Sequence, residues 1–187
     1  MTANVRFGWT RWARLTVALV NTTPNDRHGD LLTEPDQLRA LLLAHDEPEP
    51  VTIDTVDLAD ARDARAALTA VFAAVGNERT IAGRLNDLLA RTARPRLTGH
   101  DGVPLHLHVD APGSTWGGWL AAVGAMGLAL LVAEHGAEVL ARCPATGCGH
   151  AVLRYGPGPA RRFCDATCAS RTRVAAHRAA RRSGPAG

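Results

Sequence analysis

The chain has 187 residues, 46% of them hydrophobic and 21% charged, a globular composition that excludes a disordered polymer and suits one domain of ordinary size plus a small module. Aromatics make up only 4%, so the core must come largely from Ala, Leu and Val. The net charge of +3 hides an asymmetry: residues 1–141 hold 12 Arg against 17 acids, whereas residues 142–187 hold 9 Arg against Asp165 alone, which points the tail toward an acidic polymer.

In chain order, "MTANVRFGWTRWAR" is followed by only six apolar residues and no small-residue cleavage site, so it is not read as a secretory leader. "RLTVALVNTTP" reads as a short strand ending at Asn21 and Pro24. "TEPDQLRALLLAH" predicts a helix with Thr33 as its cap and Pro35 in its first turn, stopped by the prolines of "HDEPEP". From Asp57 to Val75, the residues Leu58, Ala61, Leu68, Val71, Phe72 and Val75 share one helical stripe. Another helix follows Asn77, with Ile81, Leu85, Leu88 and Leu89 as its apolar face.

The period then changes. Val103, Leu105, Leu107 and Val109 alternate with His106 and His108, which predicts a half-buried strand with its histidines toward solvent. "GHDG" supplies the hairpin turn back to "RPRLT". His100, His106 and His108 have no carboxylate or cysteine at ligand spacing, so they are not read as a metal site. "WGGWLAAVGAMGLALLVA", residues 116–133, meets the lower length limit of a membrane span. Its Gly and Ala content and the lack of flanking basic anchors make it a central core helix instead, and no membrane association is expected. Charge and composition shift together near residues 140–142. The expected fold class is mainly α with a small β-hairpin (α+β) over residues 1–141, then a four-cysteine module and basic helix over 142–187.

All four cysteines lie in that module, as Cys143-x4-Cys148, 15 intervening residues, and Cys164-x3-Cys168. Disulfides would suit an exported chain and an iron–sulfur cluster would also take four thiolates, but two cysteine pairs at this separation fit tetrahedral zinc best. Gly147 and Gly149 bracket Cys148 and let backbone amides turn toward sulfur, while Arg142, Arg161 and Arg162 stand close in sequence to offset the thiolate charge. With four protein sulfurs no position is open to water, so one structural Zn2+ per chain is expected.

"DATCASRTRVAAHRAARR" reads as a helix capped by Asp165. Cys168, Thr172, Ala175, Ala176 and Ala179 gather on one side, to lie against the zinc core, and Arg171, Arg173, His177, Arg178, Arg181 and Arg182 cover the other. With Arg161 and Arg162, these residues are the candidates for binding double-stranded DNA, through phosphates and guanine edges. The competing reading is an interaction protein whose clamped basic helix docks on RNA or an acidic protein surface.

The tail resembles the bacterial CGNR zinc finger. Its signature reads "CASR" here: Cys168 and Arg171 match, while Ala169 and Ser170 stand in place of Gly and Asn. "LTVALVNT", "DLLTEPDQLRALL" and "LNDLLARTARPRL" are similar to stretches of the ABATE domain that usually precedes this finger. The resemblance implies a cytoplasmic bacterial transcription regulator whose finger binds DNA and whose front domain senses a small-molecule effector or pairs two chains. Asn21 and Thr22, with Trp116 and Trp119, are the candidate ligand-binding residues. No phosphate loop, nucleophile elbow or zinc-protease motif is present, and no enzymatic activity is expected.

Overall fold

The computed structural model describes residues 8–100, 103–156 and 161–182. Its first element overturns the strand expected from "RLTVALVNTTP": residues Gly8–Val20 form helix α1. The burial pattern gives the reason. Thr10, Ala13, Thr16 and Leu19 recur every three residues on the buried face, flanked by buried Leu15 and Val20, so packing overrides the strand propensity of the β-branched residues.

The next three helices follow from their caps. Helix α2 (Pro35–Leu43) takes Glu34 as cap, one residue beyond Thr33, with Pro35 in the first position that needs no N–H. Helix α3 (Thr55–Ala73) starts where the Asp54 carboxylate accepts the N–H groups of Val56 and Asp57 at 2.8 and 2.9 Å. Helix α4 (Glu78–Thr92) starts where Asn77 accepts the Thr80 N–H at 3.0 Å. The predicted stripes are the buried faces, with Leu58, Ala61, Leu68, Val71 and Phe72 on α3 and Ile81, Leu85 and Leu88 on α4.

Helix α5 (Trp116–His135) runs through the middle and packs on α1, α3 and α4. By length and composition it is the one described helix able to cross a membrane, but Leu120, Leu128 and Leu131 are fully buried among its neighbours. Its glycines permit the close approach. A Cβ at Gly117 would lie 2.2 Å from a backbone carbon of Asp60, and one at Gly127 would lie 2.9 Å from the Ala13 backbone nitrogen.

Strands β1 (Arg96–His100) and β2 (Val103–His108) form the expected antiparallel hairpin, pairing Leu97 with Leu107 and Thr98 with His106. Asp101 and Gly102 of its predicted turn, and the side chains of His100 and Val103, lie outside the described residues. The assignment of faces is corrected: Leu97 and Leu105 are 70% and 71% exposed and Leu107 is 40% exposed, while His108 is mostly covered. Alternation fixes which residues share a face and leaves open which face meets the body. Val109, beyond the end of β2, is the residue that anchors the ribbon, in a small cluster with Ala122 and Val123.

A single 3-10 turn (Ala137–Val139) leads from α5 into β3 (Leu140–Arg142), which pairs antiparallel with β4 (Ala151–Leu153), and α6 (Ala166–Arg182) closes the described chain. The β3–β4 ribbon serves two cores. Leu140 and Ala151 belong to the helical core, whereas the cross-strand pair Ala141 and Val152 belongs to a separate small core containing Cys143, Ala145, Cys148 and Cys168.

Candidate metal centre and nucleic-acid interface

The cysteines are placed by two short devices. After β3 the Cys143 N–H donates to the His150 carbonyl at 2.7 Å and the Cys148 N–H to the Ala145 carbonyl at 3.0 Å, closing a tight knuckle. Gly147 and Gly149 flank Cys148 at φ +70° and +65°, a region that favours glycine, so the predicted bracketing is met. The second pair is organised by α6: the Asp165 carboxylate accepts the Cys168 N–H at 2.6 Å, which makes it the expected cap and puts Cys168 in the first turn.

All four Sγ atoms lie within 4.8 Å of one another, and Cys148–Cys164 and Cys164–Cys168 are each 3.6 Å apart. A tetrahedral ion with Zn–S bonds near 2.3 Å requires sulfurs about 3.8 Å apart. No pair forms a disulfide, and three of the four residues are buried. Ionisation is uneven across the set. Burial opposes it at Cys148, yet the His150 backbone N–H, Arg27 and the neighbouring thiols bring that thiol down to about 7. Burial pushes Cys164 well up and Cys168 to about 11. Four thiolates this close together repel one another unless a cation lies among them, so the clustering suits this donor set to a divalent metal.

The surrounding cations differ from the sequence expectation. Arg142 donates its Nε to the Gly149 carbonyl at 3.1 Å, and Arg161 and Arg162 are exposed, with Arg162 over the Phe163 ring. Arg27 does approach the sulfurs: its Nη1 lies 3.0 Å from Cys168 Sγ, 3.7 Å from Cys148 Sγ and 3.2 Å from Asp165 Oδ2. It lies in the loop after α1, more than 100 residues from the cysteines, and no local signal marks it.

Helix α6 leaves the finger after one turn. Arg171 donates to the Thr146 carbonyl at 3.3 Å and Arg173 to Ser170 Oγ at 3.2 Å. From Arg173 to Arg181 every residue is exposed, including Ala175, Ala176, Ala179 and Val174. The expected packing of the alanine face on the zinc core is thus limited to Cys168 and Thr172. The Arg182 side chain lies outside the described residues. His177, Arg178 and Arg181 stand along the exposed part, and among the described residues none of Arg171, Arg173, Arg178 and Arg181 forms an ion pair.

The four ligand candidates are engaged in separate contacts. Asn21 exchanges two hydrogen bonds with the Ala151 backbone, at 2.7 and 3.1 Å. Thr22 is buried, donates to the Leu19 carbonyl at 2.7 Å and accepts from Arg65. Trp116 donates its ring N–H to the Thr52 carbonyl and meets Trp119 edge-on at 5.6 Å between ring centroids. A cavity of about 120 Å³ at the seam of body and finger includes Asn21, Asn25, Phe72, Arg142 and His150 in its wall, but none of Thr22, Trp116 or Trp119.

Two family models match the chain. ABATE, described as "Putative stress-induced transcription regulator", covers residues 13–142, and the CGNR zinc finger covers residues 140–182. No match is found among curated proteins. The finger match and the sulfur geometry together assign one structural zinc per chain to Cys143, Cys148, Cys164 and Cys168.

Proposed function

Because this chain belongs to the ABATE family and ends in a CGNR zinc finger, we propose that it is a zinc-dependent regulator of transcription that binds double-stranded DNA through α6. The observation that carries the reading is the exposed basic end of that helix. Every residue from Arg173 to Arg181 is exposed and α6 contains no acidic residue, while Arg173, Arg178 and Arg181 present positive charge to solvent. An exposed basic helix with no carboxylate of its own suits a polyanionic partner, and duplex phosphates match this charge. Zinc fixes the first turn of α6 through Cys164 and Cys168, so the metal orients the helix and does no chemistry on a substrate. In this reading Arg161, Arg162, Arg173, Arg178 and Arg181 meet phosphates, and Arg171 fastens the helix to the knuckle. The helical body supplies the regulatory input, an effector or a second chain, and the protein acts in the cytoplasm without catalysis.

The test is a titration of the zinc-loaded chain with duplex DNA, single-stranded RNA and an acidic peptide at two salt concentrations. Binding to duplex that is tighter than to the other two and falls steeply with salt supports the reading. Preference for RNA or peptide replaces it with an interaction role, and equal weak binding to all three ends it.

A further inference from the structure

The zinc site does not close within the finger. Four thiolates on a divalent cation carry a net double negative charge, and hydrogen-bond donors from an outer shell offset it. Among the described residues, the one cationic side chain that donates to the sulfurs is Arg27 of the body, at 3.0 Å from Cys168 and 3.7 Å from Cys148. The same nitrogen reaches Asp165, the cap of α6, so a single guanidinium touches both cysteine pairs and the helix start.

The loop that carries Arg27 is held at both ends. On the body side, Asp30 forms a two-point ion pair with Arg65 of α3, at 2.5 and 2.8 Å, and the Leu31 N–H closes the loop onto the Thr22 carbonyl at 3.0 Å. At the tip, Asn25 Oδ1 accepts the Arg27 N–H at 2.7 Å, while Asn25 Nδ2 lies 3.1 Å from His28 and 2.7 Å from His150 of the finger. Asn21 pairs with the Ala151 backbone. Two sets of polar contacts, joined by the backbone of this loop, therefore link the middle of α3 to the cysteine sulfurs.

We propose that Arg27 makes the helical body part of the zinc site, so that metal affinity and the seating of the finger on the body are reciprocally linked. Whatever strengthens one strengthens the other by the same factor. Arg27 is a positioning residue: it orients and neutralises the sulfurs without ligating the metal. The proposal concerns the metal site alone and stands whether or not α6 binds DNA.

The experiment measures zinc affinity of the full chain by competition with a chromophoric chelator, for wild type, Arg27→Ala, Arg27→Lys and Arg154→Ala. Arg27→Ala is expected to weaken zinc by about 10- to 100-fold, the usual cost of losing an outer-shell partner. Arg27→Lys, which keeps the charge but not the fork, is expected to fall between the two. Arg154→Ala, which removes an exposed arginine of the finger, should match wild type. Equal affinity of Arg27→Ala and wild type overturns the proposal, as does an equal loss in Arg154→Ala. Circular dichroism reports folding, and if Arg27→Ala does not fold, wild-type affinity in Arg27→Lys overturns it. Hydrogen exchange supplies the reciprocal arm. Removing zinc from wild type should deprotect residues 21–32 while α3 and α5 stay protected, and identical loop exchange with and without zinc breaks the linkage.

Discussion

The helical body and the finger solve the same problem by opposite means. The body buries Leu68, Leu120, Leu128 and Leu131 among its helices and rests mainly on apolar area and close glycine contacts. The finger has a buried cluster of six residues, of which three are zinc ligands. A core that small cannot offset the conformational entropy of its own chain, so the metal takes the place of the missing hydrophobic residues. The body is mildly acidic and the finger strongly basic, so the part held by leucine is also the part least suited to nucleic acid. The two regions thus differ together in composition, in charge and in the force that orders them.

Removing zinc should break the comparison most sharply. A structural zinc contributes about 10–16 kcal/mol to the order of such modules, so chelation or Cys164→Ser should unfold the finger and abolish DNA binding while the body keeps its helical dichroism. Loss of the body's cooperative melting with the zinc would show that the two regions are not distinct. Next comes Leu128→Ala in α5, expected to lower stability to denaturant by about 3–5 kcal/mol while leaving one zinc per chain. A comparable loss, about 3 kcal/mol, is expected for Asp30→Asn, because it leaves buried Arg65 without its carboxylate.

That ion pair also sets a pH response. Arg65 beside it holds the Asp30 carboxyl at about 2, below its ordinary value of 3.8. The contribution is therefore complete above about pH 4 and is lost as pH falls toward 2. Denaturation midpoints measured over that interval should fall more steeply in wild type than in Asp30→Asn. The smallest effect is expected on the exposed end of α6. Arg178→Ala and Arg181→Ala should each lower the log–log salt slope of DNA binding by about one and change stability by less than about 0.5 kcal/mol.

Features that depend on short sequence spacing were legible before the structure. The cysteine spacing, the paired glycines at 147 and 149, the Asp165 cap and the stripes of α3 and α4 all act over a few residues, and each stands where its pattern places it. Features decided by packing partners were not. The β-branched residues in α1 have the local preference of a strand, and packing on α5, with α3 and β4, makes the segment a helix. The alternation in β2 is genuine, but Leu105 and Leu107 face outward, because alternation alone does not choose which face meets the body. Sequence proximity pointed to Arg142, Arg161 and Arg162 as the cations at the thiolates. Arg27 fills that place because the fold returns its loop to the finger from more than 100 residues away.

The exposed end of α6 has a consequence for conformational entropy. The nine exposed residues that continue α6 gain little stability from packing, and Arg178 and Arg181, three apart, repel each other along it. Their position near the C-terminal end favours the helix through its dipole, which partly offsets that repulsion. A polyanion that neutralised both would remove the repulsion and leave the dipole term, so the last turns would gain order as they gained a partner. Recognition and helix completion would then be one event, with an ordering cost that lowers affinity for any polyanion too short to cover the whole basic stretch.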